Sequence, residues 1–286
     1  MPTFDPRVTP ARPDLAAKYL EGKVEAARFV EGKSREVIEP QAPLRGAPRP
    51  DALLLTEALW GERMTIYEAN GEGWAWGQLA VDGYVGWLPE SALGPPGAPA
   101  THKVAALRTL VFPGPSIKLP PLAALPLGST LAIARVEDRL AVTSSGGYVP
   151  TVHLKPLCEY ESDFVAVAER FTGVPYLWGG KTALGLDCSG LVQVALTACG
   201  IACPRDSDMQ EAAVGTPVAP APEHVNLRRG DLLFWKDHVA IARGDDSLIH
   251  ANAFHVAVAI EPVAGAIARI RQIGSELTSV RRVGHS

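Results

Sequence analysis

Hydrophobic periodicity along this chain switches from two residues to 3.6 near residue 161, so the chain must build more than one kind of packing layer. From Leu53 to Leu93 the apolar residues alternate in short runs between glycine turns. Met64 to Glu68 and Trp74 to Leu79 are such runs, and Asp82-Gly83 is a strong hairpin signal. Many short strands in so small a span predict a small β-barrel. From Glu161 onward, Phe164, Val165, Val167, Ala168 and Phe171 follow a helical period, with Gly173 as its stop. Strand-like runs then return at 232–235, 238–242, 248–251 and 256–260, which makes this last unit α+β, helices first and an antiparallel sheet after.

The barrel-like pattern has an echo. Tyr148 to Leu154 repeats the aromatic-apolar-Pro shape of Trp87 to Leu93 about 61 residues later. Short runs at 131–136 and 140–143, and the turn Gly146-Gly147, complete a second barrel. Upstream, Leu15, Tyr19, Ala26 and Phe29 predict one helix over 14–31, and four prolines between Pro40 and Pro50 read as a connector. The expected organisation is a helical extension over 1–40, barrels over 41–97 and 101–157, and the α+β unit over 158–286.

Composition narrows the partners. A hydrophobic fraction of 47% with 20% charged residues is that of a globular chain with a sizeable core, and a net charge of −4 without a basic run argues against nucleic acid or an anionic membrane. No stretch approaches the roughly 18–20 apolar residues that span a bilayer. The N-terminus has no apolar h-region, so the expectation is a cytoplasmic protein. The four cysteines contain no C-x-x-C pair, which disfavours zinc, and Cys199 and Cys203 read as buried thiols.

Cys188 is different. It opens a helical pattern (Cys188, Leu191, Val192, Ala195, Leu196, Cys199) behind Asp187, a good N-cap, and Gly200 is placed to close the helix. A thiol in a first helical turn feels the positive end of the macrodipole, which favours thiolate. A nucleophile also needs a base and a group to orient that base. His238 opens one strand-like run, and His250 lies in the next. An odd-numbered loop puts both on one face of the hairpin, and an even-numbered one splits them. A metal site made of Cys188, His238 and His250 is disfavoured, and His255 is a weaker candidate participant.

These residues carry a resemblance. Pro175 to Gly180, Asp187 to Val192, Pro204-Arg205-Asp206-Ser207 with Gln210, Arg229 to Trp235, His238 to Ile241 and Leu248 to Ala251 together resemble the NlpC family of papain-like cell-wall cysteine peptidases. The segments before them resemble bacterial SH3-like domains. The resemblance implies an α+β papain-like peptidase domain preceded by two small all-β SH3-like barrels. It implies Cys188 as nucleophile, His238 as general base and His250 as its orienter, with Asp237 standing where the family usually has glycine. The Cys188 N–H is the expected oxyanion donor, and no cofactor is expected. The architecture is similar to the subgroup that cleaves γ-D-glutamyl–diamino acid bonds, diaminopimelate in particular, in short muropeptides with a free N-terminal L-Ala. Tyr176 is then expected near the thiol, Asp206 with Ser207 at the free amine, and Glu62 and Tyr84 as contributions from the first barrel. A hydrolase of intact wall, a thiol acyltransferase and a non-catalytic wall-binding module are the alternatives.

Overall fold

The computed structural model describes residues 4–218, 226–244 and 246–284. The sequence between Thr216 and Glu223 reads as a polar, proline-rich stretch and Gly244 to Asp246 as a turn; residues 219–223 of the one and Asp245 of the other lie outside the described residues. The chain divides into two compact units, Met1–Cys158 and Glu159–Ser286.

The N-terminal unit is all β apart from short 3-10 turns. Its largest sheet has seven strands, in the order 54–59, 41–45, 85–89, 74–79, 63–69, 33–37 and 93–94. Alternation sends Val37, Leu44, Met64, Leu79, Tyr84 and Leu88 into one core, as the period-two pattern requires. The sheet thus begins at Lys33, and its strand 41–45 lies in the stretch expected to be a connector. Pro43 is accommodated there because this strand meets 85–89 only through the pair Arg45–Trp87.

The helix expected over 14–31 is absent. Residues Ala16–Ala17 and Phe29–Val30 instead form a short parallel pair, and only Lys18–Leu20 makes a 3-10 turn. Gly22, at φ 77°, breaks the helical path in the middle of the segment. Tertiary packing supplies the rest of the reason. Leu15 is buried with Trp76, Val85 and Trp87, while the Arg12 guanidinium lies over both indoles at 4.4 and 5.0 Å and pairs with Glu68 at 2.5 Å.

Residues 101–157 form three small sheets around Val104, Leu125, Leu131 and Val149. The sequence echo is a structural one. Pro89 and Pro150 each end a strand, take φ near −59° and −58°, and lead into a 3-10 turn that Leu93 or Leu154 closes. The two repeats meet where Thr130 N–H donates to Trp60 O at 2.9 Å. Gly61 makes that approach possible, since a Cβ there would lie 2.3 Å from Thr130 O.

The C-terminal unit is α+β. Its helices are α1 (Phe164–Glu169), α2 (Cys188–Ala198), α3 (Ser207–Ala213) and α4 (Val263–Gln272). Its main strands are β1 (Thr216–Pro217), β2 (Asp231–Trp235), β3 (His238–Ala242), β4 (Ser247–Asn252), β5 (Ala257–Pro262) and β6 (Leu277–Arg282). They form one antiparallel sheet in the order β1-β6-β2-β3-β4-β5. Leu233, Trp235, Ala240, Ala242 and Leu248 cluster with Val263, Ala266 and Ile270 of α4. Helix α4 and strand β6 have no counterpart in the sequence reading.

Helix α2 is more buried than its apolar spacing suggests, because every residue from Cys188 to Leu196 is inside. Two of its polar side chains hydrogen-bond there: Ser189 Oγ accepts from Arg205, and Gln193 Nε2 donates to Cys203 O. The end of the helix is a Schellman turn. Gly200, at φ 77°, donates to Thr197 O and Ile201 to Leu196 O, each at 3.0 Å.

Candidate active site

The thiol of Cys188 is placed by the start of α2. Asp187 caps the helix, its Oδ1 accepting from Gly190 N at 2.7 Å, while Oδ2 accepts from Gly179 N at 2.8 Å. Arg205 then grips the same carboxylate in a fork, Nη1 to Oδ1 at 2.9 Å and Nη2 to Oδ2 at 2.7 Å. Arg205 is 1% exposed, so the residue before the cysteine is fixed by a buried ion pair. Gln210 ties α3 into the same place by donating to Ser189 O and Pro204 O, both at 2.9 Å.

The Cys188 side chain is buried and receives hydrogen bonds from the backbone N–H groups of Val239 and Ser189. Contact with Val239 puts the thiol one residue along β3 from His238. The expectation of a depressed thiol pKa is not met. Burial pushes the Cys188 thiol up to about 12, the neighbouring Asp187 carboxylate adds to the rise, and the two N–H groups and Arg205 only partly offset it. Desolvation outweighs the helix N-terminus.

His238 and His250 share a face of the sheet. The β3–β4 register pairs Ile241 with Ile249, which makes the two histidines diagonal neighbours, on the face that also carries Leu248. His238 Nε2 and His250 Nδ1 are 2.8 Å apart, and the Trp235 ring lies 5.6 Å from that of His238. Burial first, and then like-charged neighbours, His250 acting on His238 and Arg269 on both, lower the two imidazoles to about 3. Both rings are therefore neutral at pH 7. Asp237, just before His238, takes φ 60° in the two-residue turn from β2. That left-handed position suits glycine, and aspartate is among the residues that tolerate it.

A third side chain extends the pair. On β5 the register places Glu261 opposite Leu248, hence on the same face as His250. Glu261 Oε1 lies 2.7 Å from His250 Nε2 and also accepts from Arg269 of α4. His255 turns away to Asn252, its Nδ1 lying 3.0 Å from Asn252 Oδ1. His250, His255 and Glu261 bring one potential ligand atom each within 4.8 Å of one another. Arg269 and His250 already share Glu261 Oε1.

This layout, a thiol at a helix start and an imidazole pair on the adjoining antiparallel sheet, coincides with a match to known families. A model described as NlpC/P60 family matches residues 173–275, and one described as bacterial dipeptidyl-peptidase SH3 domain matches 44–93. Residues 173–275 are an NlpC/P60 peptidase domain. The chain is 27% identical over 244 residues to a gamma-D-glutamyl-L-lysine dipeptidyl-peptidase of Bacillus cereus, covering 73% of this chain and 71% of that protein. A protein of the same name from Bacillus subtilis is 28% identical over 229 residues, covering 70% and 73%. A crystal structure of an NlpC/P60 family protein from Bacillus cereus shares the fold, with a TM-score of 0.72 at 22% identity over 88% of this chain and 99% of that one.

Within the NlpC/P60 domain, Tyr176 is half-buried. Its hydroxyl pKa is raised by burial and then by the nearby Cys188 and Asp187. Asp206 caps the start of α3 by position, without a side-chain capping bond, and Ser207 is the first residue of that helix; both are partly exposed. Glu62 and Tyr84 belong to the N-terminal unit. Glu62 Oε2 accepts from Leu59 N at 3.0 Å. Tyr84, 4% exposed, belongs to the barrel core. Arg205, Glu261 and Arg269 were missed as site residues. Arg205 lies in the segment Pro204-Arg205-Asp206-Ser207, beside the carboxylate expected at the free amine. Nothing local in the sequence distinguishes Glu261 or Arg269 from other surface charges.

Proposed function

We propose that the NlpC/P60 domain is a cysteine endopeptidase that hydrolyses the γ-D-glutamyl–diamino acid bond of short muropeptides with a free N-terminal L-Ala, in peptidoglycan turnover. The observation that carries this reading is the hydrogen-bonded His238–His250 pair beside a thiol held at the Val239 amide. The names of the two Bacillus relatives support the γ-D-glutamyl bond and a diamino acid after it.

In this mechanism His238 Nδ1 takes the thiol proton as Sγ bonds to the γ-carbonyl carbon. The leaving amine then departs with that proton, and water repeats the cycle to release the acid and restore the thiol. Because thiol and imidazole are both neutral at rest, this proton moves only when substrate is bound. The Cys188 N–H, in the first turn of α2, stabilises the oxyanion. Such a donor contributes about 3–4 kcal/mol to the transition state. Asp206 and Ser207 receive the free ammonium of L-Ala, for which a carboxylate is the natural partner. The reading includes a cytoplasmic location, checked by cell fractionation.

The deciding experiment is mass spectrometry of products from free and N-acylated L-Ala-γ-D-Glu peptides carrying diaminopimelate or L-lysine. Cleavage after D-Glu in the free peptides, lost in Cys188→Ala, is the expected result. Turnover that survives Cys188→Ala removes the thiol mechanism. Equal turnover of N-acylated peptides removes the free-amine requirement and favours a hydrolase of intact wall. Transfer of the acyl group to an added amine in preference to water favours the acyltransferase.

A further inference from the structure

The hydrogen bonds beyond His238 determine where the protons of both rings sit. Arg269 has no acceptor atom, so its contact with Glu261 Oε1 requires that oxygen to accept. The same oxygen faces His250 Nε2 at 2.7 Å, and an oxygen that accepts must be met by N–H rather than by a lone pair. A neutral His250 with its proton on Nε2 has a bare Nδ1. That Nδ1 lies 2.8 Å from His238 Nε2, which must in turn carry the proton of its own ring. The free lone pair of His238 is then on Nδ1. With the opposite arrangement, lone pairs would meet at the Glu261 contact and His238 Nδ1 would carry a proton it cannot accept again.

We propose that Glu261, held by Arg269, is a positioning residue that sets the tautomers of His250 and His238 and so leaves His238 Nδ1 free to take a proton. The proposal rests on the reading of His238 as the base for Cys188. It involves acceptance of a hydrogen bond and not the charge of the carboxylate. The groups facing His250 are His238, Glu261, His255 and Arg269, from β3, β5, the β4–β5 turn and α4. A wrong tautomer in a nucleophile–histidine–acid triad is costly, because general-base assistance is worth about 10²–10⁴-fold.

The test begins with the wild-type protein, so it does not depend on a variant folding. Long-range proton–nitrogen correlation of the labelled imidazoles at pH 7 should show His238 and His250 both protonated at Nε2. Glu261→Met, which removes the acceptor, should move His250 towards the Nδ1–H form and lower kcat on the free peptide about 10²-fold, with KM within about twofold. Glu261→Gln keeps an oxygen that Arg269 can hold in the accepting role, and it should retain both tautomers and most of kcat. An Nδ1–H form of either ring in the wild type would overturn the proposal. So would unchanged tautomers in Glu261→Met, or equal loss of kcat in Gln and Met. If Cys188→Ala still cleaves peptide, the peptidase reading fails, yet the spectra still decide the tautomers. If Cys188→Ala is inactive and Glu261→Met is fully active, the peptidase reading stands and this proposal falls.

Discussion

Arg205 closes on Asp187 through two hydrogen bonds, at 2.9 and 2.7 Å, in a place where the guanidinium has almost no solvent. The carboxylate in turn caps α2 and holds Gly179 N–H, so one ion pair fixes the loop before Cys188 and the helix after it. Arg205→Met leaves Asp187 buried without its partner. Removing one member of a buried pair costs about 3–5 kcal/mol, and chemical denaturation should show a loss of that order. A loss below about 1 kcal/mol would mean that water reaches Asp187.

Gly190 is required by proximity. A Cβ at this position would lie 2.3 Å from Gly180 O and 2.9 Å from Asp187 Oδ1. The obstructing atom is backbone and cannot swing aside, so overpacking of about 1–3 kcal/mol is expected for Gly190→Ala. Its denaturation midpoint should fall, despite the better helix propensity of alanine.

The resting ionisation of the thiol is open to direct measurement. With Cys188 pushed up to about 12 by burial, alkylation of the free enzyme by iodoacetamide should rise with pH throughout the range from 6 to 9, about tenfold per unit. A rate that is flat across that range would show a preformed thiolate–imidazolium pair.

The two imidazoles also tie stability to pH. Their folded values, about 3, lie below the ordinary 6.5, so the unfolded chain binds protons more readily between those limits. Their contribution is fully present above about pH 6.5 and is lost as pH falls towards about 3, at about 1.4 kcal/mol per pH unit for each ring. Denaturation at pH 7, 6 and 5 should show this slope reduced in His250→Asn. An unchanged slope would mean that the rings titrate normally in the folded protein.

The order of units, the barrel repeat and the α2 cap and stop lay in the sequence, because each follows from short-range rules, whereas the sharing of one face by His238 and His250 waited on the β3–β4 register. Period-two and period-3.6 patterns specify strands and helices, Asp187 and Gly200 suit the ends of α2, and side-chain alternation restricts His238 and His250 to two choices. Tertiary structure decided the rest. Segment 14–31 has helical spacing, yet Leu15 and Arg12 gain more by packing on Trp76 and Trp87 than a helix interrupted at Gly22 could offer. The thiol's pKa went up because burial outweighs a helix end. Glu261 and Arg269 reached His250 only because β5 and α4 fold back onto one face of the sheet. Local propensity acts through neighbours along the chain, whereas desolvation and side-chain contact depend on what arrives from far away in it.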